Sequence, residues 1–382
     1  MTTKTGVGVV AVLLLVAGGC SDDEPSADNP GPPPSIESSS PSESESSEPT
    51  GNEGPSGPLT PRATDTIATG LTSPWDIAFL PNGDALVSER DTGLIKRVTS
   101  DGDVETVGEL TDVEPTSEGG LLGLTVHPDF ESEPYVYAYL STDSDNRLVR
   151  MRWDGSRLGA AEPLLTSNPV GEIHDGGRLA FGPDGMLYVT TGETGDEALS
   201  QDLDSNGGKI LRLEPDGSIP GDNPFGDSPV WSYGHRNVEG LAFDDNGRLW
   251  ASEFGENTWD ELNLIRPGDN YGWPLREGSQ GEQCDCVDPA AAWHPAVASP
   301  SGLAYAEGTL WMAALRGERL WRIPLDGNRP AGEPRGFFIG EYGRLRAIAV
   351  APDGALWLGT SNTDGRGEPS GDDDRILRVE LR

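Results

Sequence analysis

One histidine in this sequence stands among residues that suggest chemistry. His174 lies in the run 173–178, which reads IHDGGR. An imidazole changes its charge near neutral pH, so His174 is a candidate general base, although a lone histidine is more often structural. The other three histidines look structural. His127 precedes a proline in a turn, His235 resembles a hydrogen-bonding neighbour of the arginine that follows it, and nothing beside His294 indicates chemistry.

Four arginines stand out in an acidic chain, namely Arg236, Arg316, Arg344 and Arg346. The formal net charge is −37, so a concentration of guanidinium groups indicates a bound anion, with carboxylates as the expected groups. The alternative is salt-bridging to Asp and Glu, which explains any single arginine better. The same charge balance argues against nucleic-acid binding, because that binding depends on Lys and Arg at phosphates.

The three cysteines, Cys20, Cys284 and Cys286, are too few for a disulfide framework. Cys284 and Cys286 either close a small disulfide in an oxidising compartment or stay reduced. A metal site there is not expected, because no second cluster of Cys and His supports it.

The N-terminal segment has the features of an export signal. Lys4 precedes an apolar run over 7–17, which is shorter than the ~20 residues that span a bilayer. Small residues before Cys20 are similar to the lipobox of bacterial lipoproteins. The alternative is an ordinary signal peptide with an incidental cysteine. We expect residues 1–20 to be a lipoprotein signal peptide that ends at a lipidated Cys20.

Residues 21–60 consist largely of Ser, Pro, Gly and acidic residues. Such a segment buries too little apolar surface to offset its ordering entropy, so we expect a disordered tether. A globular head over 61–382 is then predicted to be lipid-anchored on the extracellular face of the cell membrane.

The head contains one unit repeated six times: an apolar strand, a tight turn, a second apolar strand and a polar loop. Asn-Gly and Asp-Gly turns supply the positive φ of hairpins, and a third strand follows in each copy. Repeats of ~40 to 60 residues made of hairpins are typical of β-propellers, because one blade cannot bury both of its faces alone. The sequence predicts an all-β, six-bladed β-propeller with four-stranded antiparallel blades. The first strands of the six copies lie at 76–79, 122–126, 179–181, 241–243, 303–305 and 347–350.

Strand order also predicts how the ring closes and where side chains converge. The last copy ends on its third strand, 376–379, so residues 64–69 are expected to add its fourth strand and close the ring. The loops that enter first strands and the loops between second and third strands share one face. The residues expected at that channel mouth are Glu118, His174, Arg236, Asn237, Phe254, Arg316, Arg344 and Arg346.

Together these segments resemble the soluble quinoprotein glucose/sorbosone dehydrogenases, particularly the bacterial aldose sugar dehydrogenases. The resemblance runs from about residue 67 to the C-terminus and rests on several motifs in the right order. The motifs are 119–123 (GGLLG), 174–179 (HDGGRL), 181–185 (FGPDG), 234–237 (GHRN), 252–253 (SE), 260–263 (DELN), 270–274 (NYGWP) and 344–346 (RLR).

The resemblance implies a cofactor, pyrroloquinoline quinone (PQQ), a flat tricarboxylic orthoquinone bound with Ca²⁺. It implies that His174 takes the proton of the C1 hydroxyl of an aldose while hydride passes to the quinone, which leaves a lactone. Arg236 would stabilise the developing negative charge. Backbone carbonyls of Gly255 and Glu256 would bind Ca²⁺, which prefers oxygen ligands. The residues implied to contact the cofactor are Glu118, His174, Arg236, Asn237, Phe254, Arg316, Arg344 and Arg346.

This sequence departs from the family at three of these positions. Glu118 stands where relatives often have Gln, Phe254 replaces a polar residue of some relatives, and Arg316 stands where glucose-specific members have Lys. The loops are short compared with those of the glucose-specific members, which suggests an open site with a broad aldose preference and a monomeric protein. The electron acceptor is expected to be a quinone or a cytochrome.

Two other functions are alternatives to a dehydrogenase. A calcium-dependent hydrolase of the lactonase type needs Glu, Asn and Asp ligands around the axis, and only Glu118 and Glu193 are candidates. A non-catalytic lipoprotein whose propeller face binds protein or glycan would leave the arginine cluster and His174 unexplained.

Overall fold

Hairpins joined by tight turns build six antiparallel sheets of four or five strands in the computed structural model, which describes residues 59–382. The predicted signal peptide, Cys20 and nearly all of the predicted tether lie outside the described residues. Within 59–382, no helix has both the length and the apolar character needed to cross a membrane.

Each sheet is one blade, and its strands run from the innermost to the outermost. The first strand of the described residues is β1 (Pro61–Ala68). Blade one contains β2 (Pro74–Phe79), β3 (Ala85–Glu89), β4 (Leu94–Val98) and β5 (Val104–Glu109). Blade two contains β6 (Leu121–Val126), β7 (Tyr135–Ser141), β8 (Asn146–Arg152) and β9 (Glu162–Asn168). Blade three contains β10 (Leu179–Phe181), β11 (Leu187–Thr191), β12 (Lys209–Leu213) and β13 (Val230–Tyr233).

The second half of the ring repeats this plan with additions. Blade four contains β14 (Asn237–Phe243), β15 (Leu249–Phe254), β16 (Asp260–Ile265) and β19 (Ala291–Trp293), and a hairpin of β17 (Arg276–Glu277) and β18 (Gln280–Gly281) precedes β19. Blade five contains β20 (Pro300–Ala306), β21 (Thr309–Ala314), β22 (Arg319–Asp326), β23 (Arg329–Pro330) and β24 (Arg335–Phe337). Blade six contains β25 (Leu345–Val350), β26 (Leu356–Thr360) and β27 (Ile376–Leu381). Short 3₁₀ turns lie at Glu197–Ser200 and Pro295–Val297.

The ring closes as the sequence predicts. β1 pairs antiparallel with β27, so the outermost strand of blade six comes from the start of the described chain. The interface of blade six with blade one is apolar, and the Trp357 and Phe79 rings meet edge to face with centroids 5.0 Å apart. The six-bladed, four-stranded architecture is therefore confirmed.

Charged side chains join all six blades at the axis. Asp76 of blade one accepts the Leu124 N–H of blade two and forms an ion pair with Arg178 of blade three. Arg178 also donates to the Glu239 carbonyl oxygen of blade four. The Glu239 carboxylate accepts the Ser301 hydroxyl of blade five at 2.7 Å and the Arg346 guanidinium of blade six at 2.6 Å.

Small residues make this crowded axis possible. Gly123 occupies the position of blade two that corresponds to Asp76, and a Cβ there would collide with the Gly177 carbonyl oxygen of blade three. A side chain at position 123 would therefore push blade two away from the axis.

An insertion over 266–290 between β16 and β19 was not predicted as a separate element. It contains the β17–β18 hairpin and the Cys284–Cys286 pair, which is a disulfide in this structure. The Trp273 N–H donates to the Gly234 carbonyl oxygen at 2.9 Å, so the insertion reaches the loop that enters blade four.

Glu277 and Glu261 attach this insertion to the rest of blade four. Glu277 Oε1 accepts the backbone N–H groups of the four residues 256–259 at 2.8–3.0 Å. Glu261 is buried and accepts the Gly278 N–H at 2.7 Å. Burial, and next the Glu253 carboxylate, raise the pKa of Glu261 to about 8.

Removal of β1 tests the closure. A chain that begins at Thr69 should be less stable than one that begins at Leu59, because it lacks the β1–β27 ladder. Each lost hydrogen bond contributes about 1 kcal/mol, and the apolar contacts of Ala68 are lost as well. Urea unfolding of the two chains measures the difference, and equal midpoints would show that β1 does not hold the ring.

Glu261 should make stability depend on pH. Its folded pKa of about 8 exceeds the ordinary Glu value of 4.5, so the folded state binds more protons between these pH values. The free energy of unfolding must therefore fall as pH rises through this window, by about 1.4 kcal/mol for each pKa unit of the shift.

Glu261→Gln should reduce that fall, since the amide does not titrate and the unpartnered Asn263 Oδ1 can accept its N–H after a flip of the Asn263 amide. Asp175 and Asp260, whose pKa values burial raises to about 6, contribute the same slope in both proteins. Urea unfolding at several pH values from 5 to 8 measures this, and an unchanged slope in the variant would contradict the assignment.

Candidate active site

A cavity of about 310 Å³ opens at the mouth where the sequence places the site. The structure brings five predicted residues together in its wall: Glu118, Phe254, Arg316, Arg344 and Arg346. The other lining residues are Glu239, Ser299, Leu315 and Arg366. They come from blades two, four, five and six, so only closure of the ring assembles them.

Two of the arginines have carboxylate partners behind the cavity. Arg344 donates from Nε and Nη2 to Asp364 Oδ2 at 3.0 and 2.9 Å. Arg346 pairs with Glu239 and lies 3.9 Å from Asp364 Oδ2. Salt-bridging, the alternative explanation for single arginines, therefore applies to both.

Arg316 differs from this buried pair. It is exposed, and among residues 59–382 its side chain makes no hydrogen bond or ion pair. An unpaired guanidinium in a cavity wall offers up to five N–H donors to an anion. The cavity therefore has donors left over after its internal ion pairs are formed.

His174 lies beside this cavity and is held at three points. Its ring Nδ1 lies 2.5 Å from Glu193 Oε1, its backbone N–H donates to Glu118 Oε2 at 2.9 Å, and its carbonyl oxygen accepts the Thr194 N–H at 3.2 Å. The residue is 8% exposed and has a φ of 59°, which is uncommon for a residue with a side chain. Gly192 makes this conformation possible, because a Cβ there would collide with the His174 carbonyl oxygen.

The carboxylate of Glu193 selects one imidazole nitrogen for chemistry. With Nδ1 bonded to Glu193, Nε2 is left without a hydrogen bond to the described residues. A buried carboxylate on Nδ1 fixes the tautomer and stabilises the imidazolium that forms when Nε2 accepts a proton. His174 and Glu193 together have the geometry of a general base and its orienting partner.

A buried lysine fixes the loop that carries Glu193. Lys209 Nζ donates to the carbonyl oxygens of Leu199, Ser200 and Gly207 at 2.6, 3.2 and 2.5 Å. Burial lowers the pKa of Lys209 to about 8. The ammonium group of Lys209 therefore holds this loop by three hydrogen bonds to its backbone carbonyl oxygens.

Asn237 and Arg236 flank the histidine from blade four. Asn237 Oδ1 accepts the Gly176 N–H at 3.0 Å, two residues after His174. The Arg236 guanidinium donates to the Gly255 carbonyl oxygen at 2.8 Å and lies 5.2 Å from the centre of the Trp273 ring, and its Nε is buried without a partner. An incompletely bonded guanidinium can stabilise negative charge that develops nearby.

The loop 255–259 carries the two carbonyl groups predicted to bind Ca²⁺. The Gly255 carbonyl oxygen accepts from Arg236, and a carbonyl oxygen has a second lone pair for a cation. Among the described residues, no three His, Cys, Asp or Glu side chains gather as a metal-binding group. Backbone carbonyl oxygens are suitable ligands for Ca²⁺ at such a place.

Four charged residues of this site were not predicted as part of the cofactor site, although Glu193 was named as a candidate metal ligand of the alternative hydrolase. Glu193, Glu239, Asp364 and Arg366 each bond to a predicted residue or line the cavity. Glu193 lies in a loop between second and third strands. Such loops lie on the face of the channel mouth, so this position was the one sequence feature that could have indicated Glu193. Arg366 lies in the long loop 361–375, where no repeat marks any position.

The remaining histidines have the structural roles expected of them. His127 Nδ1 accepts the Asp129 N–H in a turn, and His294 Nδ1 accepts the Ala296 N–H at a 3₁₀ turn. His235 is buried and shares the Glu253 carboxylate with the backbone N–H of Arg236.

The chain is similar to several known proteins. It covers 99% of a PQQ-bound aldose sugar dehydrogenase structure from Streptomyces coelicolor, with 56% identity over 85% of this chain and a TM-score of 0.82. It is 29% identical to an aldose sugar dehydrogenase of Escherichia coli, over 77% of this chain and 89% of that protein. It is 36% identical to quinoprotein glucose dehydrogenase B of Acinetobacter calcoaceticus, over 54% of this chain and only about half (51%) of that protein.

A family model covers most of the propeller. The model described as glucose / sorbosone dehydrogenase matches residues 71–377, from the residues before the first inner strand to the third strand of blade six. The match includes every residue of the cavity wall. This chain therefore belongs to the glucose / sorbosone dehydrogenase family.

Proposed function

We propose that this protein is a PQQ-dependent aldose sugar dehydrogenase that oxidises the sugar at C1 to a lactone. The observation that carries the proposal is the joint placement of a clamped histidine and an arginine-lined cavity at one channel mouth. A PQQ-bound relative at 56% identity supports the choice of cofactor. Nothing in the described geometry favours the lactonase or the non-catalytic alternative.

The cavity residues suit a flat tricarboxylate. Among the described residues Arg316 has no hydrogen-bond or ion-pair partner, Arg344 and Arg346 line the same cavity, and Phe254 contributes an aromatic side chain to the wall. Charge-assisted bonds from guanidinium to carboxylate are among the stronger hydrogen bonds in proteins. Since Glu239 and Asp364 offset two of the arginines, Arg316 would contribute the largest share of uncompensated positive charge.

PQQ, when bound, would supply an orthoquinone that accepts the hydride from C1. His174 Nε2 would take the proton of the C1 hydroxyl, so the C1–O bond becomes the carbonyl bond of the lactone. Glu193 would stabilise the resulting imidazolium, and Arg236 would offset negative charge near the Gly255 loop. The carbonyl oxygens of Gly255 and Glu256 would hold Ca²⁺.

We also propose that the protein acts on the extracellular face of the cell membrane, anchored by a lipid at Cys20. The apolar run, the small residues before Cys20 and the polar segment after it support this. A quinone or a cytochrome would then accept electrons from the reduced cofactor. Metabolic labelling with a fatty acid, compared with a Cys20→Ser variant, tests the anchor.

The activity test uses the protein without cofactor. Addition of PQQ and Ca²⁺ together should give dye reduction with aldoses, and neither alone should suffice. His174→Gln should lower kcat on the order of a thousandfold, and Glu193→Gln on the order of a hundredfold, while both still bind PQQ. His294→Gln is the matched control, because this exposed histidine only caps a turn and its loss should leave kcat unchanged. Retention of more than a tenth of kcat in His174→Gln would exclude this histidine as the base.

A second test measures binding without turnover. Arg316→Ala should raise the Kd for PQQ roughly 10- to 100-fold, as expected when a charged hydrogen bond is lost. Arg329→Ala is the control from the same blade, since this exposed residue pairs only with Asp326 on a hairpin. Titration of the protein with PQQ, followed by quenching of tryptophan fluorescence, gives both constants. Equal Kd values would remove Arg316 from the cofactor site.

A further inference from the structure

The carboxylate of Glu118 connects three blades at the cavity rim. Glu118 precedes the inner strand of blade two. Its Oε2 accepts the backbone N–H of His174 from blade three at 2.9 Å, and its Oε1 accepts Nη1 of Arg366 from blade six at 2.7 Å. Neither oxygen can move without loss of a contact to another blade.

Arg366 is exposed, and its side chain and its backbone both form hydrogen bonds at the rim. Its Nη2 donates to Ser117 Oγ at 2.9 Å, so the guanidinium spans two neighbouring residues of blade two. Its backbone N–H donates to Asp364 Oδ1, and the other oxygen of Asp364 binds Arg344. Arg366 thus links the long loop of blade six, through Asp364, to the arginines of the cavity.

This linkage matters because His174 occupies a backbone conformation that needs support. A non-glycine residue at φ of 59° costs on the order of 1 kcal/mol or more and persists only where its surroundings hold it. Glu118 provides the charged acceptor for the His174 N–H. A carboxylate that lost Arg366 would be free to turn towards Arg344 or Arg346, which line the same cavity.

The charges around Glu118 show what Arg366 contributes. Burial favours protonation of Glu118, but the His174 N–H and the Arg366 guanidinium outweigh it and hold the pKa of this carboxyl below its usual value. Asp175 faces it from the loop of blade three, and Glu239, Arg344 and Arg346 face it across the cavity. Arg366 is the cation in direct contact.

We propose that Arg366 is a positioning residue, whose ion pair with Glu118 keeps that carboxylate on the backbone N–H of His174 and so fixes the histidine at the cavity rim. Its catalytic consequence rests on the proposed function. Its structural consequence does not, and the two are measured separately.

The structural test uses the full chain labelled with ¹⁵N-histidine, without added cofactor. The chain has four histidines, so four backbone amide signals are expected, and His174→Gln identifies one of them. In Arg366→Gln the His174 signal should move more than the other three. It should also titrate at a higher pH than in the unaltered protein, nearer the ordinary Glu value of about 4.3, because its acceptor has lost a cation. Arg329→Gln is the matched control and should leave all four signals in place.

The kinetic test asks whether the same residue acts through Glu118. Arg366→Gln should lower kcat roughly tenfold, with the Kd for PQQ within about twofold. Glu118→Gln should also lower kcat roughly tenfold, since the amide replaces one of the two accepting oxygens with an NH₂ group that can only donate. The double variant should be no worse than either single variant, because both remove one interaction. Arg366→Lys should recover part of kcat by restoring the charge.

Each outcome decides the matter. An unmoved His174 signal in Arg366→Gln overturns the proposal, whatever the activity. So does a large rise in the Kd for PQQ with the signal unmoved, which would make Arg366 a direct cofactor ligand. Additive losses in the double variant also overturn it. If the signal moves as expected but no aldose is oxidised by any variant or by the unaltered protein, the positioning role stands and the proposed function fails.

Discussion

The buried ion pairs at the axis are the constraint on which the rest of the structure depends. Asp76, Arg178, Glu239 and Arg346 lie where six inner strands meet, almost without access to water. A buried charge without its partner is costly, so each of these residues requires a blade elsewhere in the ring. Glu239 alone binds side chains of blades five and six, and its backbone accepts from blade three. These pairs therefore form only when the blades that they connect stand next to the axis in the closed ring.

The same network sets the charge of the site. Arg344 and Arg346 of blade six form ion pairs with Asp364 and Glu239. These carboxylates offset the positive charge of the two guanidinium groups and hold their orientation. Arg316 lines the same cavity and has no ion-pair partner among residues 59–382. These ion pairs hold Arg344 and Arg346 in place before any ligand arrives, and so an anion that binds there need not order these two side chains. The acidity of the whole chain, at −37, does not extend into this wall.

Position and orientation of the histidine come from different parts of the chain. Gly192 permits the backbone conformation, whereas Glu193, Thr194 and Glu118 hold it. Sequence reasoning identified the histidine from its neighbours, and the residue type of Glu118 was seen as a departure from relatives. Its partner Arg366, 248 residues away, was not seen, because a loop without repeats gives no register by which to place a side chain. The insertion over 266–290 was not predicted as a separate element for the same reason.

The sequence by itself determined the number of blades, the strand that closes the ring and the face on which the site lies. These follow from local chemistry: glycine turns set hairpins, apolar alternation sets strands, and the repeat sets how many copies must pack. Only the tertiary structure decided which charges are paired. An arginine of the cavity forms an ion pair only if Asp364 or Glu239 lies within hydrogen-bond distance of it. That distance is set by the packing of blades across the ring, and it separates Arg344 and Arg346 from Arg316. Electrostatic energies fall off over a few ångströms, whereas the repeat pattern specifies position only to within a loop.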